Sequence, residues 1–318
     1  MRAVVVQEFG GIEKAALGDM PKPEPKASEV MIEVHAVSVN FVDLVMMSGT
    51  YQFKPTLPFV PGKLPVGVVT AVGAGVSRFK AGDHALLMAE SAGFAEYTVM
   101  PENQCIKLPP NLPFEEAASM ALVYDTAYFA LKDRGRIAPG ETVLVLGATG
   151  GVGLAAIQLA KAFGGKVFAA VSSKSKEDIV REAGADAIID LSVPDLHEGL
   201  RQQVFALTGK KGVNIIVDML GGDIFDAAVR ALAWCGRLIV IGFASGWMTV
   251  RQRARLRGVE LGTGAVRTLA GNGVQRLLDD ARARGVDPNE IPQDASATSV
   301  ALSSPWDVTW SDAADTLV

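Results

Sequence analysis

The stretch TVLVLGATGGVG, from Thr142 to Gly153, constrains the fold more than any other part of the sequence. Its first five residues are continuously apolar, which is typical of a short strand buried on both faces of a parallel sheet. A glycine cluster follows directly, and from Val152 to Phe163 the apolar residues recur at helical spacing. The order of strand, glycine turn and helix predicts a phosphate-binding loop, because the first turn of a helix presents unpaired N–H groups.

The glycines match the dinucleotide fingerprint G-x-G-x-x-G with one change. Ala148 occupies the first glycine position, while Gly150 and Gly153 occupy the second and third, and Gly147 is available for the tight turn. A glycine-rich turn can also simply connect two elements. We favour the dinucleotide interpretation because the flanking strand and helix are the context that the motif requires.

The next apolar run, Lys166 to Val171, predicts a second strand whose end lies about 20 residues past the glycines. An Asp or Glu at this point would bind the ribose 2′-hydroxyl of NAD, but none is present. Hydroxyl and ammonium groups follow the strand instead, at Ser172, Ser173, Lys174 and Lys176. They favour NADPH, since they could bind a 2′-phosphate. A solvated loop capping a helix from about Lys176 to Gly184 is the plainer alternative, and both can hold together.

Length and charge place the chain among ordinary water-soluble proteins of two domains. It has 318 residues, a net charge of −5 and 49% hydrophobic residues, which makes general nucleic-acid binding a poor expectation. Its two cysteines, Cys105 and Cys235, lie far apart, which fits a reducing cytoplasm without a disulfide framework or metal knuckle. The apolar core of the N-terminus is short for a signal peptide, and no run reaches the roughly 18 apolar residues of a membrane span. We therefore expect neither export nor membrane insertion.

The first 120 or so residues are predicted to be rich in β-strands. Closely spaced strands with glycine and proline turns suggest a small barrel, with strands predicted at Ala3 to Val6, Ser28 to Val39, Val66 to Val72, His84 to Ala89 and Phe94 to Met100. A long segment from Asn40 to Gly62 contains Asp43, Tyr51 and three prolines, and we predict it to be irregular. Loops of this length in compact domains are usually functional or disordered, and its apolar content argues against disorder.

From about Tyr124 the pattern changes to helices that alternate with apolar strands. Further strands are predicted at Ala187 to Asp190, Val213 to Asp218 and Arg237 to Ile241, and a helix at Phe225 to Ala233. Five such units predict an α/β fold with a doubly wound parallel sheet. Ligands of such sheets bind beyond the carboxyl ends of the strands, where this chain places Asp218 and several glycines.

Six separated segments resemble the medium-chain dehydrogenase/reductase superfamily, and specifically its zinc-free quinone oxidoreductase (zeta-crystallin-like) branch. They are VNFVDL at 39–44, SGTYQFKPTLPFVPG at 48–62, FKAGD at 79–83, GFAEY at 93–97, YDTAYFAL at 124–131 and PGETVLVLGATGGVGLAAIQLAKA at 139–162. The resemblance covers roughly the first 245 residues and is specific, because the motifs occur in the right order.

The resemblance implies a GroES-like β-barrel catalytic domain at residues 1–122 and an NADPH-binding Rossmann domain at 123–262. It also implies that the segment 263–318 returns to the catalytic domain, although after Pro288 the sequence is polar and poorly periodic, unlike the family pattern. A homodimer is the usual assembly of this branch. The residues that the resemblance places around NADPH are Asn40, Thr126, Thr149, Gly150, Gly151, Val152, Gly153, Gly222, Val240, Ile241, Gly242 and Phe243.

No metal site is expected, because the zinc relatives need Cys, His and acidic ligands in the first domain. His35, His84 and His197 lack ligand spacing, and Leu64 occupies a position that is usually acidic. We predict that the histidines are structural or surface residues. The chemistry then rests with the cofactor, while the protein aligns the acceptor and stabilises the negative charge that grows on its carbonyl oxygen.

Three residues are candidates for the catalytic side chains of the first domain. Tyr51 can donate a hydrogen bond or a proton, Asn40 can donate a hydrogen bond, and Asp43 is better suited to orienting its neighbours. A tyrosine in a proline-rich loop is as often a packing residue, so both roles stay open for Tyr51. The expected reaction is NADPH-dependent reduction of a quinone or an α,β-unsaturated carbonyl compound. An enoyl- or acryloyl-thioester reductase, or a dinucleotide-binding protein with little turnover, are the alternatives.

Overall fold

The computed structural model describes residues 1–245. The chain divides into two compact units between Val123 and Tyr124. Among the described residues no helix is both long enough and apolar enough to cross a membrane. The end of the predicted Rossmann domain, residues 246–262, and the predicted returning segment 263–318 lie outside the described residues.

The first unit consists mainly of strands. Its elements are β1 (Arg2–Val6), β2 (Ala15–Asp19), β3 (Glu29–Ala36), α1 (Phe41–Met47), β4 (Val66–Val72), β5 (His84–Leu87), β6 (Tyr97–Pro101) and β7 (Cys105–Lys107), followed by α2 (Phe114–Tyr128), which contains the division point. Five of the strands form an antiparallel sheet in the order β6-β3-β4-β5-β7, and β1 pairs with β2 in a separate hairpin.

The core of this sheet follows from the apolar alternation along the strands. Val30 and Ile32 on β3, Val69 on β4 and Leu87 on β5 are at most 1% exposed and pack together in one cluster. Side chains two residues apart share one face of a strand, so these positions bury a single face of the sheet. The predicted β-rich first domain is confirmed by this arrangement.

The segment from Asn40 to Gly62 is not irregular throughout, and that prediction was wrong at its start. Residues Phe41–Met47 form α1, which buries Met46 and Met47 against Val6 and Phe59. The helix is only seven residues long, too short for a periodic pattern to stand out from the sequence. The short strands β2 and β7 were missed as well.

The second unit alternates strands with helices. Its elements are β8 (Thr142–Leu146), α3 (Gly151–Ala162), β9 (Lys166–Val171), α4 (Glu177–Glu182), β10 (Ala187–Asp190), α5 (Leu196–Thr208), β11 (Val213–Asp218), α6 (Gly222–Val229) and β12 (Leu232–Val240). Its five strands form a parallel sheet in the order β10-β9-β8-β11-β12, with β8 at the centre. The predicted doubly wound sheet is confirmed.

The centre of this sheet is apolar because it is covered on both faces. Val143, Leu144, Val145 and Leu146 on β8 are all completely buried, as the continuous apolar run predicted. The prediction of a helix at Phe225 to Ala233 was misplaced: α6 ends at Val229, and Leu232 already begins β12. The apolar sequence ALAW suits a helix as well as a strand, so its pattern alone could not separate the two.

Candidate functional site

The glycine-rich loop joins β8 to α3 at the carboxyl edge of the parallel sheet. Gly147 has φ +69°, in the region that favours glycine, and a Cβ placed on Gly153 would lie 2.3 Å from the carbonyl oxygen of Gly147. Glycine at 153 therefore lets the helix start close against the strand. Gly150 is the residue that precedes the helix, and it has no side chain to cap the first N–H groups. The loop consequently fits a pyrophosphate, which would accept hydrogen bonds from those groups.

A buried carboxylate organises the neighbouring turn. Asp218, the last residue of β11, is completely buried, and its Oδ1 accepts hydrogen bonds from the N–H groups of Leu220 at 2.8 Å and Gly221 at 3.0 Å. Its Oδ2 has no hydrogen-bond partner among residues 1–245. Burial raises the pKa of Asp218 to about 6, against the opposing effect of the two N–H groups. Because the Leu220 side chain lies 3.2 Å from a Cβ built on Gly147, this turn packs directly beside the glycine-rich loop.

The segment after β12 closes onto the same turn. The N–H of Ile241 donates to the Asp218 carbonyl at 2.7 Å, and the Ser245 hydroxyl donates to the Leu220 carbonyl at 2.8 Å. A Cβ on Gly222 would lie 3.3 Å from that hydroxyl. The structure thus brings Gly222 and residues 240–243, which the resemblance assigned to the cofactor, to one edge of the sheet. Ser245 was missed, since a serine in a loop carries no motif.

The end of β9 carries the groups expected to favour a 2′-phosphate. A short 3-10 turn spans Lys174–Lys176, and the hydroxyls of Ser173 and Ser175 lie 2.8 Å apart. No acid follows β9 directly, but Asp190 ends the adjacent strand β10. Hydrogen bonds from Ser192 hold the pKa of Asp190 below its usual range, and the charge of Lys174 adds to this effect. Sequence analysis missed Asp190. The pairing of β10 with β9 places the ends of both strands at the same edge of the sheet, and so brings Asp190 near the segment after β9.

In the first unit, Asp43 joins the start of α1 to the chain just before β4. Its Oδ2 accepts a hydrogen bond from the Asn40 N–H at 2.8 Å, and its Oδ1 accepts one from the Gly62 N–H at 3.2 Å. The side chain is completely buried, and burial raises the pKa of Asp43 although both N–H groups and the nearby charge of Lys63 oppose the change. These contacts suit the orienting role predicted for Asp43, while the Asn40 amide donates to the Ser38 hydroxyl at 3.0 Å.

Tyr51 lies beside a buried cation that sequence analysis missed. Its side chain packs against the cluster that contains Met46, Met47 and Phe59. The Nζ of Lys63 lies 4.9 Å from the centroid of the Tyr51 ring. Thr126, the remaining predicted contact, lies on α2 in the part of the helix that belongs to the second unit.

The described residues do not fit a zinc ion. No group of three or more His, Cys, Asp or Glu side chains that could hold a metal occurs among residues 1–245. His35 and His84 both pack on the Phe114 ring, with centroids 4.6 Å away in each case. Cys105 is buried, and burial raises the pKa of its thiol to about 11, so it is a poor thiolate donor.

Two protein-family models match the chain. The model described as alcohol dehydrogenase GroES-like domain matches residues 26–110, and the one described as zinc-binding dehydrogenase matches residues 151–268. A quinone oxidoreductase-like protein 2 homolog of Nematostella vectensis is 42% identical over 69% of this chain and 59% of its own length. Human quinone oxidoreductase is 40% identical over 76% of this chain and 73% of its own length.

Solved structures agree with these relatives. An NAD-dependent alcohol dehydrogenase is 35% identical with a TM-score of 0.72, over 78% of this chain and 79% of its own. Mycobacterial Rv1454c complexed with NADPH is 31% identical with a TM-score of 0.75, over 90% of both chains. The chain belongs to the medium-chain dehydrogenase/reductase superfamily, in its quinone oxidoreductase branch.

Proposed function

We propose that this protein is an NADPH-dependent oxidoreductase that transfers hydride to a quinone or to an α,β-unsaturated carbonyl compound without a metal. The observation that carries the proposal is the carboxyl edge of the parallel sheet. There the glycine-rich loop, the Asp218 turn and the Ser/Lys segment after β9 lie at the ends of paired parallel strands. Relatives named quinone oxidoreductases support the choice of acceptor.

The residues proposed to hold the cofactor act mainly through the backbone. The N–H groups at the start of α3, at Gly151, Val152 and Gly153, would donate to the pyrophosphate, assisted by Thr149 and the helix dipole. The hydroxyl and ammonium groups of Ser173 and Lys174 would donate to the 2′-phosphate. A relative solved with NADPH supports this choice.

The chemistry proposed for the acceptor needs one hydride and one proton. Bound NADPH would supply the hydride. Tyr51 would donate its phenolic proton to the acceptor oxygen on which negative charge develops, and Asn40 would help to orient that oxygen through its amide. Solvent then returns a proton to Tyr51. Asp43 holds the backbone at Asn40 and Gly62 and takes no part in proton transfer.

Metal independence, assembly and location are part of the proposal. Independence of zinc is supported by the donor groups described above, since the two histidines of the first unit pack on Phe114. A homodimer is supported by β12, which is the last strand of the described sheet and carries Trp234 with 78% exposure. A cytoplasmic location is supported by the two cysteines, which are both free.

The proposal is tested by following NADPH oxidation with a panel of quinones, simple enones and acyl thioesters, with and without a zinc chelator. We expect turnover with quinones or enones, and the same rate in the chelator. Turnover confined to acyl thioesters would favour the thioester reductase. Tight NADPH binding measured by fluorescence, without turnover of any acceptor, would favour a binding protein.

A further inference from the structure

Lys63 is the one lysine or arginine that is buried among residues 1–245. It is 4% exposed, and its Nζ donates a hydrogen bond to Glu90, whose side chain is 60% exposed. The ion pair is therefore uneven, with the cation inside the protein and most of the anion in water. Burying a charge costs free energy, and a buried cation whose partner is solvated leaves positive potential in its surroundings.

The ring of Tyr51 lies within that potential. At 4.9 Å from the ring centroid, the Lys63 ammonium is inside the range of a cation–π contact. The ring is also packed on the Met46, Met47 and Phe59 cluster. The Tyr51 ring therefore contacts apolar side chains and also the Lys63 ammonium, and both contacts restrict its orientation.

The backbone around Lys63 is set in an unusual conformation. Gly62 has φ +96° and Leu64 has φ +54°, a value that a branched side chain such as leucine rarely adopts. Hydrogen bonds enforce this path, since the Gly62 N–H donates to Asp43 and the Leu64 N–H donates to the Ala89 carbonyl at 3.0 Å. Asp43 therefore helps to direct the Lys63 side chain.

We propose that Lys63 is a positioning residue for Tyr51: its cation–π contact fixes the ring, and with it the direction in which the hydroxyl points towards the acceptor oxygen. This role deepens the proposed function and rests on it. The hydride would join the acceptor carbon, the Tyr51 proton would join the acceptor oxygen, and solvent would then return a proton to Tyr51. A ring that is held in one orientation keeps its hydroxyl within hydrogen-bond reach of that oxygen.

A double-mutant cycle tests the role. Lys63→Met keeps most of the side-chain volume and removes the charge, and we expect kcat to fall on the order of 10- to 100-fold while NADPH affinity changes less than about two-fold. In a Tyr51→Phe background, which lacks the hydroxyl, the same change should alter kcat less than about two-fold. Lys63→Arg, which keeps the cation, should recover most of the activity. A loss of equal size in both backgrounds would show a merely structural role and overturn the proposal.

The control is the same substitution at another ion pair of the first unit. Lys107→Met removes the bridge to Asp83, in which Nζ and Oδ2 are 2.7 Å apart and the lysine side chain is 52% exposed. We expect its kcat to stay at the wild-type value. If kcat of Lys107→Met fell as far as kcat of Lys63→Met, the loss of any lysine ion pair in this unit would be enough to lower kcat. That result would contradict the inference.

A spectroscopic measurement on the free protein tests the contact without turnover. The chain has four tyrosines, so ring-labelled 13C-tyrosine gives few signals, and Tyr51→Phe identifies the one from Tyr51. Lys63→Met should move that signal and Lys107→Met should not. An unmoved signal overturns the inference even where NADPH turnover is normal. A moved signal with no turnover of any acceptor overturns the proposed function, and the role with it, while the contact stands.

Discussion

The candidate cofactor site in the second unit and the candidate catalytic residues in the first unit use different kinds of chemical group. At the edge of the parallel sheet, the groups proposed to hold the cofactor are mostly backbone N–H groups, made accessible by glycines at 147, 150 and 153. In the first unit, the groups around Tyr51 are side chains from separate parts of the chain, including Asp43, Lys63 and Glu90.

This difference sets what each region tolerates. A backbone site depends on the absence of side-chain atoms, so adding one carbon can remove it, whereas exchanging an exposed polar side chain near it costs less. A side-chain cluster depends on the identity of each member and on the framework that places it. The contrast leads to three predictions for the second unit, in order of decreasing effect.

The largest effect is expected from Gly153→Ala. The new Cβ would lie 2.3 Å from the Gly147 carbonyl oxygen, a contact with backbone that no side-chain rotation can relieve. The start of α3 must then move away from β8 and its N–H groups lose their alignment. We expect NADPH affinity, measured by fluorescence titration, to fall roughly 100-fold or more, about 3 kcal/mol or more.

The matched control is Gly140→Ala, in a turn of the same unit. Gly140 has φ +84°, but no atom lies within 4 Å of the position that a Cβ would take there. Alanine at 140 should therefore cost about 1 kcal/mol of folding free energy and leave NADPH affinity unchanged. Equal loss of NADPH affinity in both variants would show that stability, rather than loop geometry, governs binding.

A smaller effect, up to about 3 kcal/mol, is expected from the titration of Asp218. The pKa of Asp218 is about 6 in the folded protein and 3.8 for an ordinary, solvated Asp. Between these two pH values the folded protein keeps a proton on Asp218 that the unfolded chain has lost. The contribution of Asp218 to the free energy of unfolding is therefore fully present below pH 4 and declines as pH rises to about 6.

The comparison of wild type with Asp218→Asn isolates this contribution. The free energy of unfolding of each protein is measured in urea at several pH values between about 4 and 8. As pH rises, the wild-type protein should lose stability relative to Asp218→Asn. Carboxylates whose pKa is lowered, such as Glu141 beside Arg237, make both proteins more stable as pH rises. This contribution is common to the two proteins, so it cancels in the difference. A difference that does not vary with pH would contradict the raised pKa.

The smallest effect is expected from Lys174→Glu. Lys174 is exposed, so its contact with a 2′-phosphate is partly screened by solvent, and we expect NADPH affinity to fall about 10- to 30-fold. NADH has no 2′-phosphate, and its affinity should change less than about two-fold. Lys211→Glu makes the same change of charge before β11, at the amino edge of the sheet, and should leave both affinities unchanged. An equal fall for NADPH and NADH would refute the assignment of Lys174.

The predictability of each element followed the range of the interactions that define it. The bounds of β8, β9, β10 and β11 were predicted to the residue, because the central residues of buried parallel strands are mostly apolar. By contrast, α1 was hidden in a proline-rich segment, and Leu232 was assigned to a helix although it begins β12. Short elements such as α1, and apolar runs that suit either a helix or a strand, depend on packing partners far along the chain, which a local pattern does not contain.

The same limit applies to the candidate site. The glycine-rich loop was predictable, since its strand, turn and helix are consecutive in sequence. Lys63 was not, because its significance comes from Tyr51 and Glu90, which lie 12 and 27 residues away. Asp190 was missed for a similar reason: only the pairing of β9 with β10 brings it to the edge that carries Lys174.

By itself, the sequence determined the parallel-sheet unit and the position of its phosphate loop, since apolar runs and glycines act over a few residues. Tertiary structure alone decided which charges stand together. Burial of Asp43, Lys63 and Asp218 arises when distant segments pack and exclude water, and the electrostatic properties of these groups follow from that exclusion.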